Sequence, residues 1–337
     1  MRQSTGKYIN KLSDFLEQAE NIAVVCHTNP DGDAIGSMMA MYHYLLDKGK
    51  KPEMVSPSDL PDFLKWLNKS SEIFVYDSNS EKVADVLAGA DLHILVDFNS
   101  MSRTGSLETE LNRQEKPRIL IDHHPQPDVK ADYIISEPAF SSTAELIYDL
   151  VSHLEKDSYR NPDFIEAVYT GMMTDTGNFS FGTYDGETMR IVGALLENGL
   201  RKDYITDMVY DNFSAGRMRL KGFALAERMV VMEDISTAYI YLSRDDMNRF
   251  NHAVGDTEGF VNMPLSIAGI KISVLFLEKD DHLKLSLRSK GDFSVNDLAR
   301  KYFNGGGHLN AAGGRLEMPL HDGIKYFESI IRKEVNK

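Results

Sequence analysis

Apolar residues along the chain gather into short runs separated by longer amphipathic stretches, the alternation expected of strand–helix units. The runs Ile22-Ala23-Val24-Val25-Cys26, Glu53-Met54-Val55, Ile73-Phe74-Val75-Tyr76, Leu92-His93-Ile94-Leu95-Val96, Arg118-Ile119-Leu120-Ile121 and Tyr133-Ile134-Ile135 are strand-sized. Near-continuous apolar runs of this kind are how strands buried on both faces of a parallel sheet read. Helical patterns fall near residues 10–20, 34–46, 61–68, 81–89, 142–154, 162–173 and 185–199. Ser142-Thr143-Ala144-Glu145 has the spacing of a capping box ahead of one of them. A helical connector follows at about 201–228 and carries Arg217, Arg219, Lys221 and Arg228.

After the connector the pattern turns β-rich. Ala238-Tyr239-Ile240-Tyr241-Leu242 reads as a strand, and 270–278 and 282–288 read as a hairpin across Lys279-Asp280-Asp281. In its second arm Leu283, Leu285 and Leu287 alternate with Lys284, Ser286 and Arg288, which places the last three on one polar face. For Lys284 a solvated face is the simpler reading. Helices are expected at 294–303 and 319–335. The predicted fold is therefore α/β: a mainly parallel sheet flanked by helices over 1–200, a helical connector over 201–230, and a smaller carboxyl-terminal α/β domain with a mixed sheet over 231–337.

Composition narrows the class. The chain has 337 residues, 42% hydrophobic and 26% charged, the balance of a globular protein with room for two cores. No apolar run approaches a bilayer span, and Met1–Glu20 lacks the apolar segment of a signal peptide, so a cytoplasmic location is expected. The lone cysteine, Cys26, excludes an intrachain disulfide and lies inside a strand, as a structural thiol would. A net charge of −14 argues against coating long nucleic acid, whose affinity comes from many basic contacts. It leaves room for a short phosphate ligand met by a few cations or metals. A homodimer is compatible with the sequence.

Candidate chemistry collects at the carboxyl ends of the first-domain strands, where open α/β sheets place their ligands. The first strand runs into His27-Thr28-Asn29-Pro30-Asp31-Gly32-Asp33, and a helix follows. Asp33 could simply cap that helix, but capping gives no role to His27 and Asp31. Asp97 ends another strand, and His93 inside that strand reads as a packed core histidine. Arg103 follows in a loop, facing either a phosphate or solvent. Asp122-His123-His124 closes the central strand. Asp175 ends a helix, where a carboxylate opposes the dipole and so calls for a partner. In the second domain Gly305-Gly306-Gly307 would let backbone approach a ligand, with a helix starting near His308 to favour a phosphate. A flexible turn is the plainer alternative.

Together His27-x-x-Pro30-Asp31-x-Asp33-Ala34-x-Gly36-Ser37, Asp97, Asp122-His123-His124 and Asp175 resemble the DHH phosphoesterase family. Arg288 and Gly305-Gly306-Gly307-His308 resemble its DHH-associated carboxyl-terminal domain, and size points to the oligoribonuclease and pAp-phosphatase branch. The resemblance implies two Mn²⁺ ions per chain, with Mg²⁺ or Co²⁺ as substitutes. His27, Asp31 and Asp97 would hold one, Asp33, Asp97, His123 and Asp175 the other, with Asp97 as the bridge. A hydroxide activated by both metals would attack phosphorus in line. His124 would contact phosphate, and Asp122 would orient a ligand histidine. Arg288, His308 and the glycines would grip a second phosphate, which suits short substrates. The implied activity is cleavage of short oligoribonucleotides to mononucleotides and of pAp to AMP. A phosphodiesterase for cyclic dinucleotides or linear pApA or pGpG is the alternative within the enzyme class. An inactive nucleotide-binding module is the alternative outside it.

Overall fold

The computed structural model describes residues 5–155, 159–180, 182–253 and 255–335. Two compact units divide the chain between Asn212 and Phe213. In the first, six strands form one sheet: β1 (Asn21–Val25), β2 (Lys51–Ser56), β3 (Phe74–Val75), β4 (Leu92–Val96), β5 (Arg118–Asp122) and β6 (Tyr133–Ser136). The order is β3-β2-β1-β4-β5-β6 and every pairing is parallel. The order reverses direction between β1 and β4, and a crevice at such a switch point is where doubly wound sheets bind ligands. Chain segments leaving β1, β4 and β5 therefore reach the same place.

Helices α1 (Gly6–Gln18), α2 (Gly32–Asp47), α3 (Ser80–Gly89), α4 (Glu108–Arg113), α5 (Thr143–Glu155), α6 (Pro162–Asp175), α7 (Gly186–Glu197) and α8 (Lys202–Tyr210) complete the unit. Residues 61–68, expected as a helix, hold a 3₁₀ turn at Asp62–Leu64. Helix α2 is buried on every side from Gly32 to Leu45, which explains its apolar and small residues all round. It packs closely on α6 because Gly36 carries no side chain. A Cβ there would lie 2.5 Å from the Ala167 carbonyl oxygen and 2.9 Å from the Gly171 nitrogen. Cys26 is buried and burial pushes its thiol up to about 12, in keeping with a structural role. His93 is likewise core, with Nε2 2.9 Å from the Leu87 carbonyl and its basicity lowered to about 4, chiefly by burial.

The stretch expected as one connector holds two helices, α8 and α9 (Ala215–Glu227), and α9 groups with the second unit. That unit is built on β7 (Met229–Met232), β8 (Thr237–Leu242), β9 (Ile272–Glu278), β10 (Leu283–Ser289), β11 (Gly306–His308) and β12 (Ala311–Leu316). Their order is β11-β12-β10-β9-β8-β7, with β8 and β9 parallel and the other pairs antiparallel. Helices α10 (Arg244–Arg249), α11 (Val295–Tyr302) and α12 (Leu320–Val335) complete it. The hairpin alternation holds: Leu283, Leu285 and Leu287 are buried, while Lys284 is exposed. No helix starts at His308. The residue pairs with Ala311 across a tight turn, because the glycines admit a second strand where a helix was expected.

Glycine at position 36 is a steric demand and not a helix preference, which fixes the sign of a substitution. Gly36→Ala should destabilise the protein by about 1–3 kcal/mol through overpacking against backbone. Gly193→Ala in α7, where an added Cβ meets nothing within 4 Å, should instead stabilise by about 0.4–1 kcal/mol. Thermal melts of the two variants in opposite directions are the expected result.

Candidate active site and metal-binding groups

Each candidate residue of the first unit stands on a segment leaving the sheet edge. His27 follows β1, Asp97 follows β4 with φ of 64°, and Asp122 ends β5 ahead of His123 and His124. The left-handed backbone at Asp97 is one that Asp and Asn adopt more readily than most residues. Asp175 is the last residue of α6, as its expected position implied. The capping roles are the reverse of expectation. Asp31 caps α2, accepting from the backbone N–H groups of Asp33 and Ala34 at 3.1 and 3.0 Å. Asp33, buried, turns away to the start of α5 and accepts from Thr143 N–H at 2.7 Å and Ala144 N–H at 2.9 Å.

Two groups of donors result. In one, His27 Nε2 lies 3.9 Å from Asp31 Oδ1 and 3.6 Å from Asp97 Oδ2. In the other, His123 Nε2 lies 3.8 Å from Asp33 Oδ2, 3.8 Å from Asp97 Oδ1 and 3.5 Å from Asp175 Oδ2. Asp97 thus turns one oxygen to each group. These distances are too long for hydrogen bonds, yet the atoms converge. His27 Nδ1–H donates to the Thr28 carbonyl at 2.9 Å, which leaves Nε2, buried and without a hydrogen-bond partner among the described residues, as the lone-pair side. A lone pair aimed at carboxylate oxygens is unfavourable unless a cation lies between them. His123 repeats the arrangement with Nδ1 3.2 Å from the Phe140 carbonyl. Imidazole and carboxylate donors of this mixture suit a divalent transition metal, so the residues present fit metal binding.

The electrostatics agree. Burial first, then the charges of Asp33, Asp31, Asp122 and Asp175, hold the Asp97 carboxyl well above the usual range. Burial also raises Asp33, against the pull of His123. Burial and Arg103 lower His27, keeping it neutral and available as a ligand. His123 is raised: burial opposes this, but Asp175, Asp33 and Asp122 outweigh it. His124 is held well below its ordinary value by burial, then by His123, Arg103 and His27. Its Nδ1 lies 2.7 Å from Asp122 Oδ1. Asp122 is thereby placed to orient His124. Arg103 is tied to the site through its carbonyl, which accepts from Thr28 N–H at 2.8 Å.

Thr143 is the residue that sequence reasoning missed. It is fully buried; its N–H donates to Asp33, its hydroxyl donates to Asp97 Oδ1 at 2.9 Å, and Thr143 Oγ1 accepts from His123 N–H at 3.3 Å. Its place in a capping-box stretch is its only local signal. In the box Ser142 Oγ accepts from Glu145 N–H, and the Glu145 carboxylate accepts from Ser141 N–H.

In the second unit, register aligns His308 with Ala311 and Ala311 with Arg288, so one cross-strand row carries the imidazole and the guanidinium beside a small residue. Of the three glycines, Gly305 and Gly307 are demanded by backbone packing. A Cβ at Gly305 would lie 1.9 Å from the Gly313 carbonyl oxygen, and one at Gly307 2.4 Å from that of Ala311.

The chain is similar to known proteins along most of its length. The model of the DHH family, N-terminal domain, matches residues 21–172, and that of the DHHA1 domain matches residues 235–333. The chain is 29% identical over 328 residues to a bifunctional oligoribonuclease and PAP phosphatase NrnA of Thermus thermophilus, covering 97% of this chain and 94% of that one. It is 26% identical over 291 residues to the protein of the same name in Bacillus subtilis, covering 86% and 87%. An exopolyphosphatase-related protein from Bacteroides fragilis superposes with a TM-score of 0.92 at 36% identity, over 100% of this chain and 98% of that one.

Asp97→Asn tests whether the carboxylates are built around a cation. The substitution suits the left-handed backbone, keeps an acceptor for Thr143 and removes one buried charge. A carboxyl whose folded value is raised above its unfolded one costs stability wherever the unfolded chain ionises it, so metal-free Asp97→Asn should melt higher than metal-free wild type at pH 7.5. Addition of MnCl₂ should raise the melting temperature of wild type clearly and that of Asp97→Asn much less. Equal metal-induced shifts would remove Asp97 from the donor set.

Proposed function

Because the chain belongs to the DHH family, with a DHHA1 domain in its carboxyl-terminal part, and is by that membership a metal-dependent phosphoester hydrolase, we propose that it cuts short oligoribonucleotides to mononucleotides and converts pAp to AMP. The observation that carries the reading is the pair of donor groups sharing Asp97. The names of its relatives supply the substrate class.

His27, Asp31 and Asp97 would hold one Mn²⁺, and Asp33, Asp97, His123 and Asp175 a second. Bound there, the ions would supply an activated water and Lewis-acid neutralisation of the charge that develops on phosphoryl oxygens. The chain's own groups do the rest. Thr143 fixes the orientation of Asp33 and Asp97 through its N–H and hydroxyl. His124, with Nδ1 held by Asp122, turns Nε2 to the phosphate. To donate to a phosphate oxygen, Nε2 would first take up a proton from solvent, and the Asp122 carboxylate at Nδ1 would stabilise the resulting imidazolium. Arg103, whose charge acts on both His27 and His124, adds a cation at the same edge. On the second unit Arg288 and His308, with Gly305, Gly306 and Gly307 around them, bind a phosphate remote from the reacting one.

Product analysis by ion-exchange chromatography tests the reading. With Mn²⁺ the protein should convert pApA and RNAs of a few nucleotides to mononucleotides and pAp to AMP, with no turnover in EDTA. Cyclic di-AMP consumed fastest would overturn the substrate order.

Arg288→Ala tests the remote phosphate. A hydrogen bond to a charged group contributes about 1.5–3 kcal/mol, so kcat/KM on pApA should fall roughly ten- to a hundredfold. Bis(p-nitrophenyl) phosphate, with a single phosphate, should be hydrolysed at close to the wild-type rate. Equal losses on both would place Arg288 at the reacting phosphate or in the fold.

A further inference from the structure

Gly306 is a glycine that packing does not require. A Cβ there would meet Asn296 Oδ1 at 3.5 Å and Arg300 Nε at 3.6 Å, both ordinary contacts, in contrast to its two neighbours. A side chain at 306 would lie against the Arg300 stem and Nε, where the guanidinium is held by Asn296. That guanidinium is exposed, on the last turn of α11, and its Nε donates to Asn296 Oδ1 at 3.2 Å. Among the described residues it pairs with no carboxylate, whereas the adjacent Lys301 pairs with Glu334 at 3.3 Å. Asn296 Oδ1 also accepts from Gly307 N–H at 2.9 Å. One amide oxygen therefore ties the arginine to the glycine strand and leaves both terminal NH₂ groups of the guanidinium for a ligand.

We propose that Arg300, held by Asn296 and left open by Gly306, is a further phosphate-binding residue on the second unit, taking the terminal phosphate monoester of a nucleotide. This rests on the proposed function, in which the glycine strand binds the non-reacting phosphate. The chemistry favours a monoester: a planar guanidinium offers two parallel N–H groups, and a terminal phosphate offers oxygens to match both. A cation in the last turn of a helix also complements the dipole. That role alone would affect stability and leave ligand affinity untouched.

Calorimetric titration of metal-free protein with pAp, together with thermal melts, separates these roles. Arg300→Ala should weaken pAp binding roughly ten- to a hundredfold, the loss expected for a charge-assisted hydrogen bond. Arg300→Lys should recover part of it. Asn296→Ala should weaken binding less, by loosening the guanidinium, and in turnover assays the Arg300→Ala and Asn296→Ala effects should fall on KM and not on kcat. Gly306→Ala should melt as wild type does and bind pAp poorly, whereas Gly305→Ala should lower the melting temperature. Wild-type affinity in Arg300→Ala, with binding lost in His308→Ala, would overturn the role of Arg300 and leave the proposed function standing. Wild-type protein that neither binds nor hydrolyses pAp or short RNA would overturn both.

Discussion

Asp97 is buried among four other carboxylates, and that repulsion is the constraint from which the first unit is best understood. Charges taken out of water are costly unless paired, and the attraction to a counter-ion grows as the local dielectric falls. With the imidazoles His27 and His123 turning their Nε2 atoms inward, the carboxylates form a set whose energy a divalent cation lowers more than any proton could. Protonation relieves only part of the repulsion, and it does so one site at a time. The arrangement persists because its members hang from β1, β4 and β5, three adjacent strands with almost wholly buried side chains. The hydrophobic core thus stabilises a geometry that electrostatics opposes.

Helix ends tune that repulsion in both directions. The first N–H groups of α5 point at Asp33 and offset part of its charge. Asp175 stands at the end of α6, where the carbonyl dipoles add negative potential. One carboxylate is eased and the other is made more demanding, so the second donor group leans toward the His123–Asp175 side. Gly171 of α6, where a Cβ would lie 2.4 Å from the Ala144 Cβ and 2.8 Å from Asp33 Oδ1, lets α6 pack against the start of α5. Packing and electrostatics are therefore coupled at that glycine.

Much of this was legible in the sequence because it is local. Buried strands announce themselves as apolar runs, and the residues after them fall at the carboxyl edge by construction, so His27, Asp97 and His123 needed no tertiary information. The misreadings share a different cause. Asp33 looked like the cap of its own helix, but its partners are backbone groups 110 residues away, and Asp31 took the local role. His308 looked like a helix start; pairing with Ala311 required a return of the chain that local composition does not encode. Thr143 passed as one hydroxyl in a capping box because its three partners come from separate segments. Residues 61–68 had helical spacing, yet formed only a 3₁₀ turn.

An acidic chain acting on an anionic polymer needs a reason to engage its substrate at all, and the reason also bears on length. Each phosphate bound by a cation adds affinity, but a net charge of −14 repels every further phosphate within a Debye length of about 8 Å. On the proposed reading the favourable contacts are confined to the donor groups around Asp97 and to the Arg288–His308 row with its neighbouring Arg300. On that reading each nucleotide added beyond those contacts adds negative charge facing an already acidic chain. Preference for short substrates then follows from the distribution of charge, without any need for a steric stop.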